Sequence, residues 1–234
     1  RALDEVARPT PRADRRRRQE VLSIQAYSTF SQCWLIRRLS EFQALHRNID
    51  VRLSASSAIV DFDHQDLDAV IYSGVPGDPT LAVDFLAPIE LMPVVSPRLV
   101  EQLPSRKLDL ARVKLLHSFS RPTGWSDWLA GAGMHHIDGN KGHKFESSAM
   151  AFEAAVQGAG VALGVSVLVE HYLASGQLIA PFSHKHTITG GYHLARSATR
   201  PPSRALTSFR KWLLDTLAAE ARKSAQPHGT ATNM

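Results

Sequence analysis

The order of periodicities between residues 20 and 72 constrains the fold more than any other feature of the chain. "VLSIQA" is a compact apolar run suited to a buried strand. "FSQCWLIRRLSEFQAL" comes next, with Leu35, Leu39, Phe42 and Leu45 at helical spacing. "IDVRLSAS" (49–56) alternates Val51 and Leu53 with polar neighbours, and "LDAVIY" (67–72) is another short apolar strand. Strand, helix, strand and strand in that order predict βαβ construction, a largely parallel sheet and an α/β class.

The rest of the chain repeats the pattern. "DFLAPIELMPVVSPRLV" (84–100) reads as an extended crossover, because Pro88, Pro93 and Pro97 lack the N–H groups that a central strand needs. "KLLHS" (114–118) restarts a strand, and "WSDWLAGAG" offers a short helix ending in Gly. "KFESSAMAFEAAVQGAGVALGVSVLVEHYLASG" predicts strand, helix, short strand and helix. A second α/β unit thus covers about 97–183. "GGYHLAR" (190–196) is a strand. "PPSRALTSFRKWLLDTLAAEARK" is a helix with Pro in its first turn and Leu206, Phe209, Leu213 and Leu217 on one face. Two α/β units joined by extended segments near 92–97 and 181–190 make a hinged, two-lobed body whose natural ligand site is the cleft between lobes.

Charge and cysteine content narrow the classes of function. The formal charge of +5 is concentrated at the ends: residues 1–20 hold seven Arg against four acids, and residues 196–234 hold seven basic groups against two acids. The body between them is slightly acidic, so it is not the face that meets nucleic acid. The Arg15–Arg18 run after "ALDEVAR" and "PTP" reads as a helix end and then a solvated linker. A single Cys33 excludes an internal disulfide and suits a reducing compartment, the cytoplasm. No apolar run approaches the ~20 residues that cross a bilayer. The first residues lack the apolar stretch of a secretory signal, and an Arg start suggests a fragment of something longer.

Catalytic constellations are hard to find. Ser166 in "GVSVL" has Gly164 before it but Leu168 where a nucleophile elbow needs Gly. "GAGVALG" (158–164) has the wrong spacing for a dinucleotide loop and comes after a helix, so it reads as a C-cap and tight turn. His135–His136 and His184 with His186 have no Cys or carboxylate at ligand spacing. No cofactor, metal or enzymatic activity is expected. Paired hydroxyls remain at two helix starts: Ser28 and Thr29 before the first helix, Ser147 and Ser148 before "AMAFEAAVQ". One residue suffices as an N-cap; the second either has no special role or, with the free N–H groups, receives a carboxylate or another anionic group.

Taken in order, "FSQCWLIRRLSEFQALHRNIDVRL", "LDAVIYSG", "LAPIELMPVVSPRLV", "LLHS", "WSDWLAGAG", "FESSAMAFEAAVQGAGVALGVSVLVEHYLASGQLIAPF", "GYHLA" and "FRKWL" resemble the effector-binding region of LysR-type transcriptional regulators over residues 20–215. The wording is most similar to the branch that includes the glycine-cleavage and β-lactamase regulators. The resemblance implies two Rossmann-like lobes joined by two crossover strands, as in type 2 periplasmic binding proteins. Lobe I is expected over 20–95 plus 187–222 and lobe II over 96–186, with the end of a linker helix and a linker at 1–19 and a disordered tail at 223–234. It further implies a small-molecule effector in the cleft, carboxylate- or amide-bearing from the hydroxyls on offer. DNA would be bound through an N-terminal winged helix-turn-helix outside this chain. By motif, the ligand positions carried over are Tyr27, Ser28, Thr29, Phe30, Ser73, Ser147, Ser148, Ser166 and Tyr192. Trp34 and Ile36 on the outer face of the first helix suggest either core packing or a subunit contact. The family's side-by-side dimers favour a homodimer, and a tetramer at full length. A solute-binding protein serving a transporter would share the architecture and is the competing class.

Overall fold

The structure, a computed structural model, describes residues 19–56, 66–104 and 106–225. Residues 1–18 of the expected linker and 226–234 of the expected tail lie outside the described residues, whereas 223–225, also expected in the tail, are helical. Strand β1 (Glu20–Ala26) leads into α1 (Ser28–Phe30), a π-helical turn (Ser31–Leu35) and α2 (Ile36–Leu45), which form one helical rod. Then come β2 (Ile49–Ala55), β3 (Ala69–Gly74), β4 (Leu81–Val94), α3 (Pro97–Gln102), β5 (Leu115–Ser118), α4 (Gly124–Gly131), β6 (His143–Phe145) and α5 (Ser148–Val156). The chain closes with β7 (Val161–Val165), α6 (Ser166–Ala174), β8 (His186–Ser197) and α7 (Arg204–Ala225).

All eight strands join one sheet in the order β2-β1-β3-β8-β4-β7-β5-β6. At one end β1 pairs parallel with β2 and β3; at the other β5 pairs parallel with β6 and β7. Within the sheet of described residues the two parallel groups are joined through β4 and β8, which run antiparallel to each other along most of their length. This is the α/β architecture with two crossover strands that the sequence leads one to expect. Leu22, Ile24 and Ala26 of β1 are fully buried, whereas the edge strand β2 buries Ile49 and exposes Asp50, Arg52 and Ser54. That contrast is the difference between a strand covered on both faces and an edge.

Three local expectations are corrected. The proline-rich stretch is the expected crossover, but it crosses as a single long paired strand through Val94. Pro88 sits where the β4–β8 register shifts, and Pro93 lies beyond Leu91, the last β4 residue paired to β8, so neither proline faces two strands. Pro97 instead opens α3 behind Ser96, whose side chain accepts from the Leu99 N–H. The final helix starts after its prolines: Ser203 Oγ accepts from the Leu206 N–H at 3.0 Å, which makes Ser203 the start signal. Its stripe of Leu206, Phe209, Leu213 and Leu217 is buried as expected.

Trp34 is the third correction. It is fully buried rather than on an outer face, and Leu45, expected in the apolar stripe, is 71% exposed. The π-helical turn accounts for Trp34, while Leu45 is exposed as the last residue of α2. One extra residue per turn puts Cys33, Trp34 and Leu35 all inside and rotates α2 relative to a 3.6-residue pattern. Trp34 then stacks with Phe30 at 5.2 Å and Trp212 at 6.1 Å between centroids, while Phe42 packs on Phe209 and Trp212. This aromatic layer fastens the first helical rod to α7.

Candidate functional site

The start of α1 differs from its expected capping. The N-cap position is Tyr27, which makes no side-chain cap bond, and the helix begins at Ser28. Tyr27 is fixed by its main chain, donating its N–H to the Ile71 carbonyl at 2.7 Å and accepting from the Ser31 N–H at 2.9 Å. Both hydroxyls therefore fall inside the first turn. Ser28 is half-buried, while Thr29 is 1% exposed and its Oγ1 is buried without a hydrogen-bond partner. A buried hydroxyl left unpaired costs about 1–3 kcal/mol, a cost that a hydrogen-bonding ligand group would remove.

At α5 the pair divides its work. Ser147 is the N-cap, its Oγ accepting from the Met150 N–H at 3.4 Å. Ser148 is buried and lines a small cavity with Arg121, Ser118, His117, Trp125 and Leu116 among its walls. The cavity is about 20 Å³, room for roughly one water molecule. Helices α1 and α5 abut, so the two helix starts that the sequence singles out are neighbours.

Tyr192 packs beside the start of α1. It is completely buried in β8, paired in register with Ser73 of β3, and its ring packs 5.2 Å from Phe30 and 6.3 Å from Tyr27. Burial pushes its phenol up to about 12, against a smaller opposing pull from Arg121, so the hydroxyl keeps its proton at neutral pH. Arg121 Nη2 donates to the Tyr192 hydroxyl at 3.1 Å. Arg121 comes from the turn after β5, held by its N–H to the Ser118 carbonyl and by the Gly124 N–H to its own carbonyl. Its Nε is buried with no acceptor, and among the described residues no carboxylate pairs with it.

Arg121 is the residue that sequence reasoning misses. Its only signal is a lone cation in "SRPTGW", between a strand and a short helix, with no spacing to mark it. Of the expected residues, Tyr27, Phe30, Ser73 and Tyr192 are brought together by ring contact or strand pairing, and Ser148 joins Tyr192 through Arg121. Phe30 is fully buried and belongs to the aromatic core. Ser166 stands apart. It opens α6, its hydroxyl donates to the Glu90 carbonyl at 3.3 Å, and it lines a groove of about 490 Å³ that contains none of the other candidates. Among the described residues no group of three or more His, Cys, Asp or Glu is placed to hold a metal ion.

Comparisons with known proteins agree with this architecture. The LysR substrate binding domain matches residues 15–218. The chain is 35% identical over 213 residues to the HTH-type transcriptional activator AmpR of Rhodobacter capsulatus, covering 90% of this chain and 72% of that protein. It is 31% identical over 223 residues to the glycine cleavage system transcriptional activator of Escherichia coli, covering 94% and 73%. Among solved structures, the effector domain of AmpR of Pseudomonas aeruginosa superposes with a TM-score of 0.72 at 34% identity, covering 89% of this chain and all of that one. A Citrobacter freundii effector binding domain with one threonine-to-valine, one serine-to-alanine and one tyrosine-to-phenylalanine substitution gives 0.71 at 27% identity, covering 85% and all of that chain. The chain belongs to the LysR substrate-binding family and is the effector-binding domain of a LysR-type transcriptional regulator.

Proposed function

We propose that this domain senses a small carboxylate- or amide-bearing effector where the starts of α1 and α5 meet Tyr192, and that occupancy controls DNA binding through an N-terminal winged helix-turn-helix. The observation that carries the reading is the buried, unpartnered Thr29 Oγ1 in the first turn of a helix that abuts the Ser147–Ser148 start of α5. Further support comes from residue types: the threonine, serine and tyrosine exchanged in the Citrobacter freundii variant are the three types gathered here. The lobes proposed are 20–95 with 187–222, and 96–186, hinged in β4 and β8. A ligand that binds the closed arrangement more tightly shifts the population toward it, and only that difference in affinity can do work on the DNA-binding domains.

The test is a thermal-shift screen of small carboxylates and amides, then titration of each hit. A ligand at 100 times its Kd stabilises by about 2.7 kcal/mol, well within detection. Thr29→Val and Ser148→Ala each remove one hydrogen-bonding group and should weaken a hit by roughly 3- to 10-fold. Unchanged affinity in both variants refutes the site.

The same reading makes the protein a cytoplasmic homodimer in this fragment and a tetramer at full length. Its support is exposed apolar surface around the first helix: Ile36 is 55% exposed, Leu45 71% and Val21 of β1 42%. Sedimentation at micromolar concentration should give a dimer; monomer alone would contradict it. No helix among the described residues is long and apolar enough to cross a membrane. The solute-binding alternative is not favoured, since the relatives found are transcriptional regulators.

A further inference from the structure

We infer that Arg121 is the specificity-determining residue of the cleft: its guanidinium, now engaged by the Tyr192 hydroxyl, receives a carboxylate of the effector and so selects acids over the corresponding amides. This rests on the effector reading above and narrows it to one ligand chemistry.

Three observations carry it. First, Arg121 has a donor to spare: Nη2 is bonded to Tyr192 at 3.1 Å, but the buried Nε has no acceptor. A guanidinium presents donors in a rigid fork that fits the two oxygens of a carboxylate, and Tyr192 supplies a single oxygen. Second, no carboxylate of the protein compensates this cation among the described residues, although other arginines are compensated: Arg38 by Glu220 and Arg210 by Asp84. A cation held at a half-buried position without a counter-charge favours an anionic visitor. Third, Arg121 lines the same small cavity as Ser148 and Ser118, so an anion at the fork would also meet hydroxyl donors. An amide presents one oxygen and an N–H₂ that Arg121 cannot accept from, because a guanidinium has no acceptor.

The cavity of about 20 Å³ is too small for any such effector. Entry therefore requires Arg121 to leave Tyr192 or the lobes to part. In either case the Arg121–Tyr192 bond ties the turn after β5 to β8, and a carboxylate competes with Tyr192 for the guanidinium.

The experiment uses matched acid and amide probes: acetate and acetamide, propionate and propionamide, N-acetylalanine and N-acetylalaninamide, each to 50 mM. The readout is the ¹H–¹⁵N resonance of the Arg121 Nε–H, assigned by its loss in Arg121→Gln, with Arg121→Lys as the charge-retaining variant and thermal melting as a check on folding. The expected result is a saturable downfield shift with at least one acid and none with its amide. Arg121→Gln should weaken the acid by roughly 10- to 100-fold and leave acid and amide equal, with Arg121→Lys between. Thr29→Val separates the two readings. If acid and amide bind equally, Thr29→Val weakens both and Arg121→Gln changes neither, the cleft stands and the role of Arg121 falls. If the Nε–H resonance does not move with an acid that binds, the role of Arg121 falls alone; if Thr29→Val and Arg121→Gln both leave binding unchanged, it falls with the site.

Discussion

Trp34→Ala is expected to lower the stability of the domain by about 4 kcal/mol, a large share of the roughly 5–15 kcal/mol that holds such domains folded. Trp34 is fully buried, and its indole contributes to several kinds of contact at once. It packs against Phe30 and Trp212, it donates its Nε1–H to Glu220 Oε2 at 2.8 Å, and it lies 4.6 Å below the Arg38 guanidinium. Arg38 in turn binds Glu220 Oε1 at 2.5 Å and the Trp34 carbonyl at 3.1 Å. Truncation leaves a cavity between the first helical rod and α7 and removes one of the two donors that satisfy Glu220. Trp34→Phe keeps most of the packing and loses only the N–H, so it should cost about 1–2 kcal/mol. Urea unfolding of both variants measures the packing and hydrogen-bond contributions. A Trp34→Ala loss below about 1.5 kcal/mol would mean that the π-helical turn lets the rod collapse onto α7.

Much of this fold is legible because burial writes period and order into a sequence. β1, β3, β5 and β7 are visible as short apolar runs, and the Leu206–Leu217 face of α7 as a stripe. Where the backbone departs from a regular period, the signal fails. The π-helical turn shifts the phase across Ser31–Leu35, which is why a regular period puts Trp34 on the wrong side, whereas Leu45 is misplaced because α2 ends there. Pro88 and Pro93 argue against a strand because sequence does not reveal that one proline sits at a register shift and the other beyond the partner strand. In the candidate site, Ser147 behaves as the pattern demands, since an N-cap is a local interaction. Thr29 shows the opposite limit: α1 starts two residues earlier than its pattern suggests, and a hydroxyl expected to share a cap is a buried unpaired one. Arg121 leaves no trace at all, because its meaning depends on Tyr192, which lies 71 residues further along the chain.

Gly190→Ala should destabilise the domain by roughly 3 kcal/mol, and it tests the crossover itself. In the β4–β8 pairing Pro88 faces Gly191 but the next residue, Ile89, faces Ile188. Thr189 and Gly190 are therefore extra residues that let β8 bulge as it passes between the two parallel groups. Gly190 meets this bend with φ +96°, and a Cβ there would stand 2.4 Å from the Gly74 carbonyl oxygen of β3. Both the backbone conformation and the contact exclude a side chain, and the atom struck is main chain that cannot rotate away. Gly176 separates the two effects: it has φ +71° and nothing within 4 Å of its would-be Cβ, so Gly176→Ala carries only the conformational cost of about 1 kcal/mol. The difference between the variants, about 2 kcal/mol by urea midpoint, is the contact with Gly74. Because Gly190 lies two residues from Tyr192, the same variant should also disturb the Arg121 bond, seen as movement of the Arg121 Nε–H resonance. Equal losses at Gly190 and Gly176 would show that β3 and β8 slide apart freely at the crossing. A crossing that yields so easily could not serve as the hinge proposed above.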